Sequence, residues 1–326
     1  MRYKAERINL VINTNPIPKE SKLAIDSFED YWLHKHDCDK ILYHYTSAKV
    51  IKSILENRSF WCTDVNFVND ALEIKYGKKI IKERLNCYLE NIKGYNEETV
   101  LKLLLQFVDI NFYDTYIACF SEEDDILSQW RNYADNGEGY NLGIQFNNNP
   151  NLITKVSHYL NNLNDNSTVV LRKVFYDIED QLFIVNKFIS DILEGVKNAK
   201  ISEEFYPKSW GADVAANAFN LLLEIMFSLK SSSFKEEKEW RLVYIIENKW
   251  KRKIRKFKIK DGIISPYLET YLFEDEVGIK QFPLQSLKSG PLLSKDNANK
   301  ALEIFVNSNS LYSNHPINLK SKIKFS

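Results

Sequence analysis

Apolar and polar residues follow two rhythms along this chain, and the changes between them mark its elements. Val50, Ile51, Ile54 and Leu55 recur at helical spacing behind Thr46 or Ser47, either of which can cap a helix. A second helix face joins Val214, Ala218, Leu221, Leu222, Ile225 and Leu229, opening near Asp213. Further helices are expected around Lys22 to His36, from Asp70 to about Gln106 with a polar break at 93–98, over Ile178 to Ala199, and near 297–307. Another carries Leu127, Trp130 and Tyr133 after the acidic Glu122–Asp125 group, because carboxylates suit helix amino termini. Compact apolar runs predict strands at Ile41–Tyr45, Phe60–Thr63, Tyr116–Phe120, Leu142–Phe146, Val169–Tyr176, Trp240–Ile246 and Ile254–Ile259, with a last β segment ending in SKIKFS. DNGEG, from Asp135, is the strongest turn signal.

These elements lack a regular βαβ rhythm. There is no G-x-G-x-x-G and no Walker lysine loop. The expected class is α+β, with a mixed, largely antiparallel sheet and flanking helices. Residues 1–40 read as an N-terminal extension. Residues 41–326 read as one domain with a helical insertion around 70–106.

Composition narrows the class. Of 326 residues, 44% are hydrophobic and 27% charged, which suits a globular chain. Lys+Arg and Asp+Glu are both 44, so bulk charge announces neither a nucleic-acid nor a membrane surface. Cys38, Cys62, Cys87 and Cys119 form no C-x-x-C pair, unlike a secreted disulfide scaffold. The amino terminus lacks the apolar core of a signal peptide, and Ala218–Leu229 is too short and polar to span a bilayer. A cytoplasmic location without membrane attachment is the expectation.

Four polar sets stand out. His44 ends a strand in YHYTS, a place where binding groups gather, although a lone strand histidine is more often structural. Glu237 and Glu239 form E-x-E at the mouth of the 240–246 strand, where an exposed loop is the bland alternative. Arg131 follows Trp130, and its planar fork matches either phosphate oxygens or the nearby carboxylates. Asn69 and Asp70 either cap a helix or bring a carboxylate to a pocket. His34, His36 and Cys38 form H-x-H-x-C without a second ligand pair, so a solvated helix end outweighs a metal site.

The strand, His-x-Thr-Ser and the amphipathic helix ending in ILEN resemble the opening of the ADP-ribosyltransferase fold. Asn57 stands where that fold carries glycine. The resemblance implies an NAD-cleaving enzyme. His44 would hold a ribose hydroxyl, Tyr45 and Thr46 would frame the nicotinamide, and Tyr45 or Phe60 would stack on it. Glu239 would stabilise the ribosyl cation and Glu237 would serve the acceptor, a protein or nucleic acid. That activity suits a bacterial toxin or anti-phage effector with an antitoxin or defence-system partner. In order, YHYTS, FVNDALE, CFSEEDDILSQW, YADNGEGYNLGIQF, KVFYD, KEEKEWRLVY, SGP and SKIKF also resemble a widespread bacterial family of unknown function. A non-catalytic nucleotide-sensing or interaction domain is the alternative. A metal-dependent nuclease using Asp70, Glu73, Asp124 and Asp125 ranks third.

Overall fold

The computed structural model describes residues 16–68, 71–109, 113–146, 168–199, 210–247, 255–260, 262–270, 282–293, 295–308 and 321–323. Its helices are α1 (Lys19–Lys35), α2 (Ala48–Asn57), α3 (Ala71–Leu89), α4 (Tyr95–Asp109), α5 (Leu127–Tyr133), α6 (Ile178–Lys197), α7 (Gly211–Phe227) and α8 (Lys295–Asn307). Its strands are β1 (Ile41–Thr46), β2 (Phe60–Asp64), β3 (Tyr113–Ser121), β4 (Tyr140–Gln145), β5 (Thr168–Lys173), β6 (Glu239–Glu247), β7 (Lys256–Lys260), β8 (Ile263–Thr270) and β9 (Leu284–Ser289). The named strands pair antiparallel throughout. The coarse class, an antiparallel sheet with helices, is as the sequence predicts.

Strand β3 organises the sheet. One edge pairs with β6 along its length, from Tyr113↔Glu247 to Ser121↔Glu239. The other edge is shared: β2 takes Tyr116 and Ile117, and β1 takes Ser121. The sheet therefore forks at Cys119. Beyond the fork, one arm runs through β2 and β8 to β7, and the other through β1 and β4 to β9. Strand β5 lies outside β6.

Side-chain alternation gives the sheet two cores. Ile117, Val243 and Ile245 face a helical layer built from α1, α3, α4, α6 and α7. Tyr116, Ala118, Phe120, Trp240, Leu242 and Tyr244 face the other way, toward α2 and α8. Helix α1 contributes Phe28 and Trp32, both fully buried, so this part of the amino-terminal stretch is core. The same holds for α3 and α4, whose Ile81, Leu85, Val100, Leu101 and Leu104 pack in that cluster.

Several boundaries differ from the sequence reading. Ser47 caps α2, its side chain accepting from Val50 N at 3.3 Å. The left-handed residue ending α2 is Arg58 (φ 54°), one position after Asn57, whose amide instead bonds back to Ser53. Residues 321–323 are not a strand: they are tied to Asp125, which accepts from Ser321 Oγ (2.7 Å) and Lys322 N (2.8 Å). Strands β8 and β9 carry no strong sequence rhythm. Pro266 interrupts the first and polar residues fill the second.

Candidate functional site

The pairing Tyr43↔Ser121↔Glu239 puts these three side chains on one face of the sheet, because directly opposed residues share a face. His44 follows Tyr43 and turns to the other face. There its ring meets Phe60 (5.5 Å) and Phe120 (5.4 Å). The expectation that His44 and Glu239 line one NAD cleft is thereby corrected: strand alternation separates them. His44 sits at the fork, where its Nδ1–H donates to the Cys119 carbonyl at 2.8 Å. Cys119 lies between the β1 and β2 pairings, so the imidazole satisfies a carbonyl at the point where neither strand pairs. Burial pushes the His44 pKa down to about 4, against the effect of that hydrogen bond, so the ring is neutral at pH 7.

The other residues assigned to the nicotinamide pocket are also engaged in the fold. Phe60 is fully buried against Phe120 and Phe282 and offers no face to a ligand. Tyr45 packs on Trp130, donates its hydroxyl to the Glu123 carbonyl (2.9 Å) and accepts from Ile126 N (3.2 Å). Thr46 is buried opposite Tyr140 at the end of β1. Arg131 lies exposed on the last turn of α5. Asn69 and Asp70 lie outside the described residues.

Each carboxylate of Glu122–Asp125 holds a different element. Glu122 meets Lys40, Lys173 and the Trp240 indole. Glu123 pairs with Lys238, Asp124 with Lys288, and Asp125 with the Trp130 indole and residues 321–322. Such a loop fastens structure. Among the described residues, no group of three or more His, Cys, Asp and Glu side chains could hold a metal. The H-x-H-x-C residues disperse: His34 is exposed, while His36 is buried against Trp32 and accepts from Lys173 N at 2.7 Å.

Glu237 and Glu239 do come together, with a partner the sequence reading missed. Lys230, just past α7, places its ammonium 2.5 Å from Glu237 and 3.0 Å from Glu239. All three are buried. Backbone bonds fix Lys230: its N–H donates to Phe175 O, and its carbonyl accepts from Gln181 Nε2. Lys238 adopts a left-handed conformation (φ 43°) between the two glutamates. Ser121 Oγ holds the Glu237 carbonyl at 2.8 Å, and Tyr176 OH accepts from Glu239 N at 2.9 Å.

The two carboxylates differ in environment. Glu239 receives Arg241 through Nε (2.8 Å) and Nη2 (2.9 Å) in addition to Lys230. Burial pushes its pKa up, but Arg241 and Lys230 outweigh that and hold it at about 2. Both its oxygens are occupied. Glu237 has only Lys230 and the Tyr133 hydroxyl, at 3.1 Å; burial raises its pKa, and Lys230 offsets this only in part. Tyr133 is half-buried. Cys119 shares this face, its thiol pKa raised by burial and then by Glu239. Beside the cluster, Arg172 is buried opposite Arg241 and bonds Glu224 on α7 at 2.9 and 2.7 Å.

No curated protein and no solved structure matches the chain. Lys230, Glu237, Glu239, Arg241, Tyr133, Tyr176, Arg172 and Glu224 all fall within one matched segment, whereas His44 lies outside it. That segment, residues 129–242, matches the family described as "Protein of unknown function (DUF2971)", which bears out the resemblance to a bacterial family of unknown function and gives no support to the ADP-ribosyltransferase resemblance.

Proposed function

We propose that the chain is an enzyme whose proton-handling group is Glu237, acting at an N-glycosidic bond of a nucleotide, with NAD as the first substrate to test. One observation carries the reading. Two carboxylates share the Lys230 ammonium, yet their surroundings drive their pKa values apart. Such divergence separates an acid–base group from a fixed charge. Glu239, saturated by Arg241 and Lys230, is the fixed charge and a positioning residue. Glu237, with the raised pKa and the half-buried Tyr133 on the oxygen that Lys230 does not bond, is the base.

For NAD the step balances as follows. The bond between ribose C1′ and the nicotinamide nitrogen breaks, and its electron pair stays with the ring, which leaves neutral. The oxygen of water or an acceptor hydroxyl bonds to C1′. Its proton passes to Glu237 and then to solvent. His44 has no part in this scheme.

The second reading, a non-catalytic nucleotide-sensing or interaction domain, is favoured by the complete hydrogen bonding of Glu239. Buried ion clusters also fix structure without performing chemistry. Nicotinamide release by the purified protein, beside Glu237→Gln and Tyr133→Phe, decides between them. The enzyme reading expects release that falls about 100-fold or more in Glu237→Gln. Release unchanged in Glu237→Gln removes Glu237 from the mechanism. No release, with no NAD binding by calorimetry, favours the second reading.

A further inference from the structure

Glu237, the proposed base, is only 4% exposed. Two groups bond its carboxylate. Lys230, 2.5 Å from one oxygen, is 1% exposed. Tyr133, whose hydroxyl donates to the other oxygen at 3.1 Å, is the one of the two that is not buried. Helix α5 sets this tyrosine in place. Trp130, three residues earlier on the same helix face, is fully buried, and its indole donates to Asp125 at 2.7 Å. Tyr133 packs against the cluster of Tyr45, Trp130 and Ala134. The helix then stops, because Asp135, Asn136 and Gly137 all take positive φ (46°, 51° and 94°). The carboxylate comes from a different element, the 3-10 turn Ser232–Glu237. That turn also carries Phe234, half-buried, with its ring 4.7 Å from the Lys230 ammonium. Among the described residues, no group donates to the Tyr133 oxygen, so its lone pairs can accept from a substrate hydroxyl.

We infer that Tyr133 is a second catalytic residue, a proton relay that joins the hydroxyl of the acceptor, or water, to the buried Glu237; the inference rests on the reading of Glu237 as the base. The acceptor oxygen bonds to ribose C1′ while the bond from C1′ to the nicotinamide nitrogen breaks, its electron pair staying with the leaving ring. The acceptor's proton passes to the Tyr133 oxygen as the phenol's own proton passes to Glu237. Tyr133 ends as a neutral phenol and Glu237 ends protonated. The reverse pair of transfers, with water taking the proton from Tyr133, restores the carboxylate. A direct transfer would need the acceptor to reach a carboxylate that folding has removed from water, whereas the relay needs contact only with the half-buried phenol. The two transfers are coupled. Burial and then the Glu237 charge raise the Tyr133 pKa, so the phenol gives up its proton only as it gains another.

The test is nicotinamide release from NAD by the full chain in single turnovers, so that chemistry rather than product release is read. Wild type is followed in mixtures of H2O and D2O, beside Tyr133→Phe and Glu237→Gln. The expected result is a wild-type rate that falls along a bowed curve as the deuterium fraction rises, since two protons move together. Tyr133→Phe should lose about 100-fold or more in rate, with NAD affinity and circular dichroism retained. A merely structural tyrosine would not bend the deuterium curve, and that readout needs no variant to fold. A straight line in wild type, or full turnover in Tyr133→Phe where Glu237→Gln is inactive, overturns the relay and leaves Glu237 as the base. Release unchanged in both variants, or no release by wild type, overturns the relay together with the reading of Glu237.

Discussion

Arg172 and Arg241 stand directly opposite each other on β5 and β6, both buried, and each is drawn to its own carboxylate: Glu224 for the first, Glu239 for the second. Like charges in direct register repel, so this arrangement depends on both acids. Glu224→Gln leaves Arg172 buried without its counter-ion and weakens the bond from the Trp32 indole, 3.2 Å away. The expected loss is about 3–5 kcal/mol in urea unfolding. Arg172→Met combined with Glu224→Met should recover most of it; a loss below about 1 kcal/mol in the single variant would show that the pair is dispensable.

The two glutamates of the E-x-E pair should separate in mutagenesis. Glu239→Gln unbalances both Lys230 and Arg241, and is expected to destabilise by about 3–5 kcal/mol. Glu237→Gln keeps a hydrogen-bonding side chain beside Tyr133 and should cost less, about 1–3 kcal/mol. Urea unfolding of the two variants side by side measures the order; the reverse order would contradict the geometry.

His44 should make the fold acid-sensitive before most carboxylates titrate. Its folded pKa, about 4, lies below the ordinary histidine value of 6.5. The unfolded chain therefore binds more protons in that window, and stability falls as pH drops from about 6.5 toward 4. Complete titration is worth on the order of 3 kcal/mol. His44→Gln should flatten this limb of the stability profile; an unchanged slope between pH 6.5 and 4 would assign it to other groups. Glu239, held near 2, adds a loss at lower pH, from about 4.5 downward.

Asp125 binds both the Trp130 indole and residues 321–322, so Asp125→Ala should free the carboxyl-terminal segment. Expected results are earlier carboxyl-terminal cleavage in limited proteolysis and a stability loss of about 1–3 kcal/mol. Cleavage at the wild-type rate would show that the segment is held by other contacts, such as Ile323 against the Tyr45–Trp130 cluster.

The elements legible in the sequence are those with strong local rhythm. The apolar stripe over 214–229 is α7, and Glu122–Asp125 does precede a helix, α5. Alternation also implies that residues 43 and 44 point to opposite faces. It says nothing of which strands flank them. That His44 and Glu239 are separated follows only from the β1–β3–β6 register, which joins positions far apart in the chain. Lys230 was invisible for a similar reason. It sits in FSLKSSSF, where nothing marks a buried ammonium, and only the close approach of Phe175 to Leu229 locates it. The alternating SKIKF reads as a strand, yet its described residues form none: Ser321 N donates to Ser289 O at the end of β9, and Ser321 Oγ and Lys322 N bond to Asp125 on a loop.

The position of β6 between β3 and β5 bears on how the protein is made. As the chain leaves the ribosome, β3 emerges with its YIACF segment long before β6 exists to cover that edge. Until then it is an apolar strand open to wrong partners. Closing the sheet requires contacts between distant parts of the chain, which fold slowly. A nascent chain of this kind is therefore a natural client for chaperones, and truncation anywhere before β6 would leave β3 without its longest neighbour.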